Sequence, residues 1–184
     1  MTRYHPALVT LHWALAALII ISLVMGRAIL KDMPNADPEK VQVLIGHMSF
    51  GMLILLLMLV RIMVRFASEK PPAADTGSAI LNFAGRWAHR AFYVIVIALC
   101  ASGIATAVFA DLPAILFGPA DRSLPESFDN IPPLKAHGLL STVLIVLILG
   151  HVLAALYHQF YLRDSLIRRM TFGPRQSPDK QTEG

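Results

Sequence analysis

Four apolar stretches, at about 8–29, 42–64, 88–110 and 134–160, constrain this chain more than any other feature in it. Each is long enough to cross a bilayer, which takes roughly 20 helical residues. Inside lipid every backbone N–H and C=O must find a partner within the protein, and a single span satisfies that as an α-helix. The connections "RAILKDMPNADPEK", "VRFASEKPPAADTGSAILNFAGR" and "DLPAILFGPADRSLPESFDNIPP" carry the Pro, Gly and Asp that stop helices. "NIPPL" reads as a helix start, since proline suits a first turn. The expected fold is an all-α membrane protein: one four-transmembrane-helix bundle over residues 1–172, then a polar tail at 173–184. With 55% hydrophobic and 15% charged residues, the chain has too little polar surface for a soluble domain. A cleaved leader is not expected: His12-Trp13 interrupts the first run, and no small-x-small site follows promptly.

A net charge of +4 would suggest nucleic acid in a soluble protein. Here the cations stand at the ends of apolar runs, where they set membrane orientation, and lipid rather than nucleic acid is the expected surrounding. Eleven Lys and Arg fall on the N-terminus, the 61–90 region and the C-terminal tail, against five in the 26–40 and 111–136 regions. Both termini are therefore expected in the cytoplasm. The outer connections hold seven carboxylates against those five cations.

Seven histidines are present, and six lie in or at the ends of spans. An ionisable residue inside a span is a functional hypothesis by default. His137 and His151 are 14 residues apart, which is roughly 21 Å along a helix and about 40° short of four full turns. They share nearly one face of the fourth span, with His158 two turns further on. Counting helix rise from the span ends sets His47 near the depth of His137 on the outer side, and His12 near His151 on the inner side. His89 and His158 form a shallower inner layer.

Two depth-matched imidazole pairs on different helices suit haem iron, which needs only axial ligands while its apolar ring fills a bundle core. Zinc would want three or four ligands, and the single Cys100 builds neither a thiolate cluster nor a disulfide. Gly46, Gly138 and Gly150 adjoin proposed ligands and would let a flat ring approach.

The ordered set "LHW" with His12, "IGHMSFGMLILLLMLVRIMVR" with His47, "RWAHRAFYVIVIALCASG" with His89 and "LKAHGLL…LGHVLAALYHQFYLRDSLIRRM" with His137, His151 and His158 resembles the bacterial cytochrome b561 family over about residues 3–172. The resemblance implies two non-covalent b-type haems in the inner membrane, in keeping with the absence of any CxxCH. It implies a superoxide oxidase: superoxide gives electrons to the outer haem (His47, His137), they pass to the inner haem (His12, His151), and ubiquinone accepts them. On that reading His158, Trp13, Arg86 and His89 surround the quinone, and Arg61 and Arg65 meet haem propionates. Superoxide is an anion, so Arg27, Arg122 and Lys135 are the candidate approach cations, set against net negative outer connections. Two other functions stay open: a cytochrome b subunit that links a periplasmic redox partner to the quinone pool, and a histidine-bearing transporter or channel without haem.

Overall fold

A computed structural model of the chain describes residues 3–69, 71–72, 78–118, 123–128, 130–163 and 166–173. The polar tail beyond Gly173, Arg122 and most of the 70–77 linker lie outside the described residues. Five α-helices and no strand occur among those described. Helix α1 (Pro6–Val24) widens into a π turn over Met25–Leu30. It is followed by α2 (Glu39–Ala67), α3 (Ala79–Phe109), the short α4 (Leu112–Phe117) and α5 (Pro132–Tyr157). A second π turn extends α5 over His158–Leu162, and a 3-10 turn over Leu166–Met170 ends the described chain.

The local reasons are visible in the sequence. Pro6 opens α1, and the Nδ1 of His5 accepts from the Ala7 N–H, so the one histidine outside the spans serves as a helix cap. Pro132 and Pro133 open α5, behind Ile131 in extended geometry. Helix α3 starts nine residues ahead of the apolar stretch at 88, since "AILNFAGR" holds no proline to stop it.

Four helices are long and apolar enough to cross a membrane: Pro6–Leu30, Glu39–Ala67, Gly85–Phe109 and Pro132–Leu162, with mean hydropathy from 2.3 to 2.6. Large apolar side chains such as Leu56, Met63, Val94, Val146 and Leu153 are exposed, as a lipid solvent allows. Inside, Leu15, Ile54, Met58, Val96 and Leu144 form the buried core, one layer drawn from all four spans. Leu144 is midway between His137 and His151, so this layer separates the two histidine levels.

Helix α1 packs on α2, α2 on α3, and α3 closely along α5. The fifth helix stands off α1 and α2, with at most isolated backbone approaches between them. Each end of the bundle is tied down. At the end away from the termini (the loop end), the Asn35 amide donates to the Pro125 carbonyl at 2.6 Å, and Lys40 donates to the Asn35 side chain at 2.6 Å. At the terminal end, the Tyr4 N–H donates to the Arg169 carbonyl, Arg3 donates to Thr171 and Phe172, and Arg169 donates to the Pro72 carbonyl at 2.7 Å.

Candidate functional site

The standing-off of α5 is bridged by imidazoles. His47 on α2 and His137 on α5 bring their ring centroids to 6.1 Å, with planes inclined at 79°. His12 on α1 and His151 on α5 do the same at 6.2 Å and 67°. Two imidazoles that share one metal from opposite sides would have centroids about 6.2 Å apart, taking a metal–nitrogen bond of roughly 2.0 Å and about 1.1 Å from nitrogen to ring centre. Both pairs match that spacing, and each spans a seam where the helices leave room.

The second contacts of these rings point the same way. His137 Nδ1 lies 3.0 Å from the Leu99 carbonyl and 3.1 Å from the Ser102 hydroxyl. A carbonyl only accepts, so Nδ1 carries the proton and Nε2 keeps its lone pair for a metal. The Ser102 hydroxyl is itself fixed, donating to Leu99 O at 2.8 Å. His47 Nδ1 is buried without a hydrogen bond of good geometry, the Ser22 backbone being the group that bears on it. A buried polar atom left in that state marks a ring whose position is set by something other than its protein hydrogen bonds.

Two glycines back the loop-end pair. A Cβ on Gly26 would stand 3.2 Å from the His47 ring, and one on Gly103 would stand 3.1 Å from the His137 ring. Among the glycines singled out by adjacency, Gly46 meets Met25 instead, while Gly138 and Gly150 face open space. Adjacency in sequence does not point to Gly26, Gly103 or Ser102. An isolated glycine within a span costs helix stability unless something packs on it, which is the signal Gly103 carried.

At the terminal end His151 has further neighbours. The His89 ring lies 5.7 Å from it and Phe92 5.4 Å. His89 Nδ1 is 2.8 Å from the Gly85 carbonyl, and Arg86 is exposed one turn away on α3. Trp13 meets the His12 ring edge-on at 5.2 Å, and its indole N–H donates to the Met170 carbonyl at 2.8 Å. His158, at the head of the second π turn, meets Tyr157 edge-on. Arg61 is 8% exposed and donates to the Leu8 carbonyl at 2.7 Å, one turn before His12. Arg65 is half-buried and has no hydrogen-bond partner among the described residues. At the loop end Lys135 and Arg27 are both exposed, and Arg27 donates to the Ser141 and Thr142 hydroxyls of α5.

A helical membrane bundle with paired imidazoles across a seam is the arrangement of a membrane cytochrome, and the chain's relatives agree. The family of prokaryotic cytochrome b561 matches residues 3–173, and the chain belongs to it. It is thus a multi-pass membrane protein that carries b-type haem and transfers electrons. It is 29% identical over 170 residues to a probable superoxide oxidase CybB of Yersinia pestis, covering 91% of this chain and 95% of that one. It is 27% identical over 166 residues to a cytochrome b562 of Cereibacter sphaeroides, covering 88% and 90%. It is 31% identical over 134 residues to cytochrome b561 homolog 2 of Escherichia coli, covering 67% and 68%.

Proposed function

We propose that this chain is a superoxide:ubiquinone oxidoreductase of the bacterial inner membrane, holding two b-type haems. The observation that carries the reading is the pair of imidazole couples, each spaced so that both rings could share one metal, and set roughly 21 Å apart along α5. His47 and His137 would hold one haem and His12 and His151 the other. When bound, the haems would supply one-electron carriers.

The chain's own residues do the rest. Leu99 and Ser102 fix the tautomer of His137. The buried layer of Leu15, Ile54, Met58, Val96 and Leu144 keeps water out between the two levels, so protons are taken up at the terminal end. The excess of Lys and Arg at that end supports its lying in the cytoplasm. There His158, His89 and Arg86 offer a quinone headgroup donors and a protonatable imidazole, and Trp13 offers its ring face. The buried Arg61, which donates to the Leu8 carbonyl one turn before His12, and Arg65, a turn further along α2, suit haem propionates. In the balanced reaction two superoxide anions each lose one electron and leave as O2, and one ubiquinone gains two electrons and two protons. Likeness along most of its length to a relative named a probable superoxide oxidase supports the donor.

Lys135 stands exposed two residues before His137 and is the cation best set to draw an anion to that end. Lys135→Glu should lower the second-order rate of haem reduction by superoxide several-fold, and added salt should lower it in the parent, with haem content unchanged. Stopped-flow reduction at two ionic strengths checks this. The seven carboxylates at the same end favour one other reading, a cytochrome b subunit fed by a periplasmic redox protein. The test between them is a neutral one-electron donor of equal driving force. Superoxide reacting distinctly faster supports the oxidase, and equal rates support the subunit.

A further inference from the structure

We propose that Arg27 binds a carboxylate of the haem held at the loop end; the proposal rests on the reading of His47 and His137 as that haem's axial pair. Arg27 lies in the π turn that closes the first span, three residues before the span's end at Leu30. An arginine so close to the membrane edge ordinarily snorkels outward to water. This one, although exposed, reaches along α5 instead. Its Nη1 donates to the Gly138 carbonyl at 3.3 Å, the Ser141 hydroxyl at 3.2 Å and the Thr142 hydroxyl at 2.9 Å. These groups are roughly 9–15 Å along α5 from its start at Pro132.

The position bridges both imidazoles. Gly26, the preceding residue, backs the His47 ring, and Gly138 follows His137. The guanidinium is fastened by one nitrogen only. Its Nε and Nη2 have no partner, and no carboxylate pairs with it, among the described residues. Beside it the seam between α1 and α5 is an apolar groove of about 290 Å³, walled by Ile20, Leu23, Val24 and Ile148. An arginine at the membrane edge, fastened by one nitrogen and without a counter-ion among the described residues, has a planar fork with a free edge that suits a carboxylate. The b-type haem of this family is an apolar ring bearing carboxylates, and Arg27 is the cation that follows the glycine behind His47 and bonds to the residue after His137.

The test uses the full-length, haem-loaded protein. Arg27→Gln and Arg27→Lys are titrated spectroelectrochemically, and haem loss to excess apomyoglobin is timed. His12→Ala carrying the same substitutions isolates the loop-end haem. Arg27→Gln should move that haem's midpoint potential downward, because losing a nearby cation disfavours the added electron. It should also speed loss of that haem about tenfold or more, by analogy with removal of groups that support a metal site. Arg27→Lys should restore the potential but only part of the retention, since the ammonium keeps charge without the fork. The terminal-end haem should be unchanged. If Arg27→Gln does not assemble, Ser141→Ala with Thr142→Val unfastens the same guanidinium, and faster loss of the loop-end haem is expected there too. Parent-like potential and retention in these variants would overturn the proposal. So would a fall in co-purifying phospholipid phosphate with both haems unaltered, which would assign the anion to a lipid headgroup. A parent that binds haem only at the terminal-end pair would overturn the underlying reading along with it.

Discussion

Replacing His137 with alanine should remove one b-type haem and leave the other, and replacing His151 should do the same at the opposite end. The effect should be near-total for the haem concerned, since an axial imidazole is the bond that holds a non-covalent haem's iron. His47→Ala should behave like His137→Ala, and His12→Ala like His151→Ala, because the rings meet in those pairs at 6.1 and 6.2 Å. Pyridine haemochrome quantification checks each variant against the parent. His89→Ala is the informative control. Its ring is also close to His151, at 5.7 Å, but it is exposed and held to Gly85, and the expectation is that both haems stay. If His89→Ala loses a haem while His12→Ala keeps two, the partner of His151 is His89.

Gly103→Val should be nearly as damaging, and at the loop end alone. A single Cβ there would already stand 3.1 Å from the His137 ring, tighter than ordinary contact. Two further methyls have to displace the imidazole from the Leu99 carbonyl and the Ser102 hydroxyl that orient it. Loss of such support costs about 10–100-fold in metal affinity, and a displaced ring costs at least as much. The loop-end haem should therefore be lost or become high-spin, with the terminal-end haem unchanged in its spectrum. Gly103→Ala should show a weaker form of the same defect. Gly85→Ala, on the same helix but with nothing within 4 Å of the new methyl, should match the parent.

What could be read from the sequence followed from length and rise. Four apolar runs gave four helices, and "NIPPL" gave the start of α5 at Pro132. The 14-residue spacing on α5, with depth counted from the span ends, is enough to pair His12 with His151 and His47 with His137, since helix rise is nearly constant. Azimuth between helices was not legible. Helix rise sets His89 in a shallow layer with His158, whereas the structure brings its ring to His151, because α3 starts at Ala79 and packs closely along α5. The glycines illustrate the same limit. Adjacency in sequence picks out Gly46, Gly138 and Gly150, but adjacency across a seam is what sets Gly26 and Gly103 behind the imidazoles. In sequence Arg27 reads as a snorkelling arginine, and only the positions of Ser141 and Thr142 on a neighbouring helix reveal its attachment to α5.

The most direct test of the account is to mix oxidised, fully haem-loaded protein in ubiquinone-containing proteoliposomes with superoxide, following the haem spectrum and ubiquinol together. The account predicts reduction of both haems and one ubiquinol for every two superoxide anions consumed, with His137→Ala and His151→Ala each abolishing ubiquinol formation. Haems that superoxide leaves oxidised, or ubiquinol that still forms in either variant, would contradict it.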